Sequence, residues 1–257
     1  MKGSAIAWTT NTYNPWIGCT KVSPACDNCY AESFSMQKRF VTAWGKDTER
    51  HVTKTAKDVR AWQRRLAKTG GREYVFCASL ADLFETHPTA EQERPKVWDL
   101  IRETPNLDWL LLTKRPQGFA RMPADLLTMP NVWPGTTVES SAYLWRCDAL
   151  IELGPIAGTK WVSYEPALGP VDFTSHLIQG IDWVIVGGES KQPLGTRSLV
   201  PFNLEWARAV IAQCRVTGAT PFVKQLGSAF PQHTDPSAWP EDLRVREYPH
   251  HRMARAS

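Results

Sequence analysis

Three of the six cysteines in this 257-residue chain, Cys19, Cys26 and Cys29, fall within eleven positions. The segment from Gly18 to Tyr30 contains Gly, Pro, Asp and Asn and lacks apolar periodicity, so it is predicted to be a loop. Two intervening residues let Cys26 and Cys29 face one way, and the longer excursion 20–25 folds Cys19 back toward them. Thiolates are soft ligands that suit zinc or iron–sulfur and not magnesium or calcium. A closed zinc site takes four protein ligands, yet no second Cys-x-x-Cys or paired histidine follows; Cys77, Cys147 and His51 are single candidates for a distant fourth. Three ligands and an open position are what an iron–sulfur cluster needs if one iron is to bind a substrate or cofactor. That is the sharper of two readings the residues leave open.

These thiols need a scaffold, and the remaining sequence alternates strand and helix patterns. Helices are expected at 30–40, 54–68, 90–103, 142–153 and 203–217, and strands at 74–79, 107–113, 131–138, 160–163, 182–186 and 221–224. A short first strand is expected near 5–8 or just before Cys19. Alternation of this kind implies βαβ units and a mainly parallel sheet. The expected class is α/β, a partial or irregular (β/α) barrel of about six to seven mainly parallel strands. No Pro-, Gly- or Ser-rich linker divides the chain, so 1–257 is expected to form one domain, with a helical insertion at about 41–72 and a basic tail from about 231.

Polar residues collect where the strands end. Ser79 and Asp82 come first, then Thr113, Lys114 and Arg115, then Thr137, Glu139 and Ser140. Ser163 and Glu165, Gly187, Gly188 and Glu189, and finally Lys224 and Gln225 continue the pattern. In parallel α/β folds such ends converge on one face, where ligands bind. Lys114, Arg115 and Lys224 can meet a carboxylate or phosphate, while Asp82, Glu139, Glu165 and Glu189 can accept from an amine or ribose hydroxyls. Gly187-Gly188 would let the backbone approach a ligand closely.

Hydrophobic residues make up 42% of the chain and charged residues 22%, an ordinary globular balance, and the formal net charge is +4. Two clusters concentrate that charge: Lys54, Lys57, Arg60, Arg64, Arg65, Lys68 and Arg72, and then Arg244, Arg246, His250, His251, Arg252 and Arg255. Either could neutralise phosphates. No apolar run reaches the roughly 20 residues that span a bilayer, and the polar start lacks a secretory pattern. A cytoplasmic protein without membrane contact is expected, where cysteines favour metal ligation or free thiols. There is no Gly-x-Ser-x-Gly elbow, and Gly187-Gly188-Glu189-Ser190 is neither a dinucleotide fingerprint nor a phosphate loop.

The runs Ile6-Ala7-Trp8-Thr9, Thr12-Tyr13-Asn14-Pro15-Trp16-Ile17-Gly18-Cys19-Thr20-Lys21-Val22-Ser23-Pro24 and Cys26-Asp27-Asn28-Cys29-Tyr30-Ala31-Glu32 resemble the phage Gp37/Gp68 family, a radical S-adenosylmethionine-like group. Later blocks agree, among them Leu111-Leu112-Thr113-Lys114-Arg115-Pro116, Ser163-Tyr164-Glu165-Pro166, Trp183-Val184-Ile185-Val186-Gly187-Gly188-Glu189-Ser190 and Pro221-Phe222-Val223-Lys224-Gln225. The resemblance spans about 6 to 230. The familiar motif of such enzymes has three and then two residues between its cysteines; here the gaps are six and two, and the aromatic Tyr30 follows the last cysteine.

The resemblance implies that Cys19, Cys26 and Cys29 hold a [4Fe–4S] cluster whose open iron binds S-adenosylmethionine, supplied with an electron by an external donor. Tyr30, Ser79, Asp82, Thr113, Lys114, Glu139, Ser163, Glu165, Gly187, Gly188 and Glu189 are then expected around the cofactor. Trp8, Asn14, Trp16, Arg115, Lys224 and Gln225 are expected to bind substrate or take part in catalysis, with Trp8, Tyr13 or Trp16 able to stack on a base. The implied substrate is DNA or a nucleotide-derived compound: an amino-acid-bearing thymidine isomerised during phage DNA hypermodification, its base flipped into the mouth. Two alternatives are a radical lyase that repairs DNA photolesions and a non-enzymatic zinc-binding, nucleic-acid-binding protein.

Overall fold

The computed structural model describes residues 3–249. Its elements are β1 (Asn11–Tyr13), β2 (Trp16–Ile17), α1 (Tyr30–Gln37), β3 (His51–Val52), α2 (Ala56–Thr69), β4 (Glu73–Cys77), α3 (Pro88–Arg102) and β5 (Leu107–Thr113). They continue with α4 (Ala124–Leu127), β6 (Val132–Thr137), α5 (Trp145–Ile151), β7 (Trp161–Tyr164), α6 (Thr174–Ile178), β8 (Trp183–Gly187), α7 (Leu204–Thr217) and β9 (Thr220–Gln225). Seven strands pair in the order β1-β4-β5-β6-β7-β8-β9, every neighbour parallel. The sheet curls into a half-barrel with helices on its outside, the partial (β/α) barrel expected from the alternation.

Two sequence expectations change. The first strand is neither 5–8 nor part of the main sheet just before Cys19. It is Asn11–Tyr13, three residues registered against Val75, Phe76 and Cys77, too short and too polar to show a period. Trp16–Ile17 instead pairs antiparallel with His51–Val52 in a small separate sheet. As a result α2, expected within a helical insertion at about 41–72, lies in the crossover between the parallel neighbours β1 and β4, with Val59 and Leu66 buried. Residues 14–55, which carry the cysteine loop and α1, are the addition to that crossover.

Alternation along the strands separates two cores. Val75, Leu111, Val162, Val184 and Val223 face the helices. Phe76, Leu110, Trp133, Trp161, Trp183, Ile185 and Phe222 face the concave side, where Trp8 joins them. Trp161 and Trp183 open their strands and Trp133 is second in its own, so the indoles gather at one end of the half-barrel. Trp8 stands 4.6 Å from Phe76 and 5.2 Å from Trp161, ring centre to ring centre. Gly135 makes room for this floor, because a β-carbon there would overlap the Trp161 indole.

The described part of the basic tail closes the floor. Val245 and Glu247 hydrogen bond to Val223 and Pro221 of β9, and Tyr248 stacks on Tyr74 at 5.2 Å while its hydroxyl donates to the Ala7 carbonyl. Arg246 lies over Phe222 and Trp239, and Arg244 donates to the Ser237 and Trp239 carbonyls. These two arginines are therefore used internally, and His250, His251, Arg252 and Arg255 lie outside the described residues. In the earlier cluster Arg60, Arg65 and Arg72 pair with Glu103, Glu73 and Asp108. Both clusters that looked available for phosphates are thus partly consumed by the fold. Among the described residues no helix is long and apolar enough to cross a membrane.

Candidate functional site

The carboxyl ends of the strands surround a cavity of about 410 Å³. Its floor is Trp8, Phe76, Ile6 and Leu112, and one wall is the cysteine loop with Cys19, Cys26 and Cys29. Of the other residues expected here, Tyr30, Ser79, Asp82, Thr113, Lys114, Arg115, Ser163, Glu165, Gly188, Glu189, Lys224 and Gln225 all line it. Inward placement follows from parity: Ser163 and Glu165, like Trp161, occupy odd positions of β7 and its extension, so they share the concave face.

The cysteine loop is held by two arginines from outside it. Arg50 is buried and makes paired bonds of 2.8 and 2.9 Å to the Glu85 carboxylate, and it also reaches the Thr20 hydroxyl at 3.0 Å. Arg115 donates to the Thr20 carbonyl at 2.7 Å, to Asp82 at 2.8 Å and to the Cys19 sulfur at 3.9 Å. A short 3₁₀ turn, Pro24–Cys26, sets Cys26, and Cys29 is the residue preceding α1. Gly18, at a φ of 117°, adopts a conformation that glycine tolerates and packs its open side on Arg50.

Burial raises the thiol pKa of Cys19, and Asp82 and Glu85 add to that while Arg115 opposes it. Burial also raises that of Cys29, against the amide groups of Glu32 and Ala31 and the Lys114 ammonium. The nearby cations thus favour the thiolate forms that a metal would demand. Among the described residues no three Cys, His, Asp or Glu side chains converge closely enough to share one metal ion. The three sulfurs line one wall without meeting at a point. A cluster, whose thiolates bind different irons, asks for wider spacing than a single ion does, and a set of three thiols beside two cations fits that chemistry.

Every carboxylate expected to receive a ligand is already engaged. Asp82 accepts from Thr113, the Lys114 amide, Arg115 and the Phe84 amide. Glu165 pairs with Lys224 at 2.9 Å. Glu189 accepts two bonds from Arg197, at 2.6 and 2.9 Å, and one from the Val200 amide. The ammonium of Lys114 has no ion pair among the described residues; its pKa is raised overall, with burial opposing and Cys26, Glu139 and Cys29 supporting the charged form. The mouth is charge-compensated apart from this one cation.

Five residues expected at the site lie off the cavity. Trp16 is fully buried and donates to Glu85 at 3.1 Å, so it cannot stack on a substrate, and Tyr13 packs edge-on against Trp109 in the outer core. Asn14 stands behind the wall and braces it, bonding the Ser79 hydroxyl at 3.0 Å and the Leu80 amide at 2.6 Å. Glu139 turns away into a buried pair with Arg146 of α5 at 2.7 Å. Gly187 is not exposed to the cavity. The space its missing side chain frees is taken by the Glu165 carboxylate, and that beside Gly188 by Phe202 and Gly227.

Arg50, Glu85 and Arg197 were not evident from sequence. Arg197 belongs to a strap, 190–200, laid over the cysteine loop: Thr196 bonds the Asp27 carbonyl, Arg197 the Pro24 carbonyl, and Gly195 packs against Asn28. The only local signal was a basic residue eight positions after Glu189. Arg50 and Glu85 are separated by 35 residues, beyond any local pattern.

The family described as "Protein of unknown function (DUF5131)" matches residues 3–253. No curated protein matches the sequence significantly. Among solved structures, the fold is similar to a cysteine-to-alanine variant of spore photoproduct lyase with dinucleoside spore photoproduct: TM-score 0.57, 11% identity, 86% of this chain and 78% of that one. A tyrosine-to-phenylalanine variant of the same lyase gives a TM-score of 0.57 at 10% identity, over 86% of this chain and 77% of that one. At such identities the likeness is one of fold.

Proposed function

This chain belongs to the DUF5131 family, whose description assigns no activity, so its chemistry has to come from its own cavity. We propose that it is a radical S-adenosylmethionine enzyme acting on a thymine-derived base in DNA. The observation that carries this is the placement of Cys19, Cys26 and Cys29 along one wall of the cavity at the carboxyl ends of seven parallel strands. When bound there, a [4Fe–4S] cluster and S-adenosylmethionine would supply one-electron cleavage of the sulfonium, yielding a radical that abstracts a substrate hydrogen.

The chain's own residues then have defined tasks. Arg115, fixed by Asp82 and the Thr20 carbonyl, holds the Cys19 thiolate and donates to its sulfur. Lys114, which makes no ion pair among the described residues, receives an anionic group such as the carboxylate of the cofactor's methionine moiety. The Glu165–Lys224 pair keeps both groups oriented in the cavity lining, and the floor of Trp8, Phe76 and Leu112 excludes water from beneath. A flat base fits against such a floor. The fold likeness to a lyase whose structure holds a dinucleoside spore photoproduct supports a nucleotide-derived substrate and gives a lyase reaction equal standing with isomerisation of an amino-acid-bearing thymidine.

The decisive measurement is anaerobic purification with iron, sulfide and zinc analysis and a reductive S-adenosylmethionine cleavage assay, on the native chain and Cys29→Ala. Expected are about four irons and four sulfides per chain and release of 5′-deoxyadenosine, all falling to background in the variant. One zinc, no sulfide and no cleavage would overturn the proposal. Given cleavage, dinucleoside spore photoproduct and hypermodified-DNA intermediates offered in parallel would separate the two substrates.

A further inference from the structure

Exposed aromatic rings are unevenly distributed. The described residues hold five, Tyr30, Phe34, Phe40, Trp145 and Tyr248, and three of these lie in the eleven residues 30–40 that begin beside Cys29. Tyr30 and Phe34 stand one turn apart on α1, and Phe40 follows in the turn beyond, each a little over two-fifths exposed. Leaving such apolar area in water is unfavourable, and its concentration marks a surface that another molecule covers.

The same stretch interleaves cations with the rings. Lys38 and Arg39 come between Phe34 and Phe40, and the Lys38 ammonium is 6.0 Å from the centre of the Phe34 ring. The two phenyl rings contact edge to face at 5.9 Å. Neither Lys38 nor Arg39 has a carboxylate partner among the described residues. The nearby lysine of the cysteine loop, Lys21, is by contrast paired with Glu32. Tyr30 joins this surface to the cavity: it is one of the lining residues, and its hydroxyl donates to the Ser79 carbonyl at 2.6 Å.

Alternating rings and unpaired cations are what a single nucleic-acid strand meets, since every base has a face to stack and every linkage a negative charge. A duplex offers phosphates but keeps its base faces covered. An acidic protein would use the cations and leave the row of rings unexplained. We infer that residues 30–40 form a track for the unpaired strand adjoining the nucleotide held in the cavity. This rests on the nucleic-acid part of the proposal above and adds that the strand is unpaired and where it runs.

The test is fluorescence anisotropy with a fluorescein-labelled oligothymidylate, alone and as a blunt duplex, using the full chain purified anaerobically. Native protein should bind the single strand more tightly than the duplex. A Phe34→Ala, Phe40→Ala double variant should lose about tenfold or more of that affinity, and Lys38→Glu should weaken binding and flatten its salt dependence. Circular dichroism and reductive S-adenosylmethionine cleavage without DNA should be unchanged in both. Retained affinity in the variants, or no preference for the single strand, would overturn the track while leaving the cofactor reading intact. Slower cluster reduction by an acidic flavin protein, with oligonucleotide affinity unchanged, would make this face a reductant dock and equally overturn it. Absence of cleavage in native protein that does bind the strand would defeat the cofactor reading and spare the track.

Discussion

The two ends of the half-barrel are built on different principles. At the floor, Trp8, Trp133, Trp161 and Trp183 are almost wholly buried and hold one another by area and ring contact. At the mouth, position is set by directional pairs: Arg50 with Glu85, Arg115 with Asp82, Lys224 with Glu165 and Arg197 with Glu189. Packing is non-directional and scales with area, whereas a charged hydrogen bond specifies an orientation. The floor therefore carries stability and the mouth carries geometry, and the two should separate under mutation.

Trp183→Ala gives the largest expected effect on stability. It removes a central indole that touches Trp8, Trp133, Trp161 and Phe222, together with its bond to the Glu247 carbonyl. Urea denaturation should show a loss of about 3–5 kcal/mol, with cofactor cleavage per folded molecule nearly unchanged. A loss of cleavage well beyond the loss of folded protein would show that floor and mouth are coupled. Arg115→Gln should do the reverse. Cleavage or cluster retention should fall about ten- to a hundredfold, as when a ligand's supporting hydrogen bond is removed, while the urea midpoint moves less than in Trp183→Ala. Arg60→Ala is the control for charge without placement: its pair with Glu103 is nearly half exposed on both sides, so stability should stay within about 0.5 kcal/mol and cleavage should not change.

The same contrast governs what was legible in the sequence. β5 was found at its true bounds because seven successive residues, nearly all apolar, announce a strand buried on both faces. The strand ends were found because polar groups recur there, and most of those side chains do line the cavity. Glu139 turns away because the chain has left β6 by that point, and the partner that draws it off, Arg146, is the second residue of α5. The resemblance implies substrate roles for Trp16 and Asn14, but in the fold Trp16, paired in the small sheet with Val52, bonds Glu85, and Asn14 bonds Ser79. The arginine clamps were invisible for a different reason. Packing leaves a periodic trace in one segment, whereas an ion pair such as Arg50 with Glu85 joins segments with no shared pattern.

The seam at the floor has a consequence for synthesis. β1 and β9 are the outermost strands of the open sheet, β9 bordered by the segment 245–247, and the gap between them is crossed below by Trp8 from one side and Tyr248 from the other. A chain emerging from the ribosome can complete all seven strands and still lack residues 244–248, leaving the indoles open to solvent along one flank. Closure of the floor is therefore a late event in the life of each molecule, and the interval before it is when an exposed aromatic surface is most prone to aggregate.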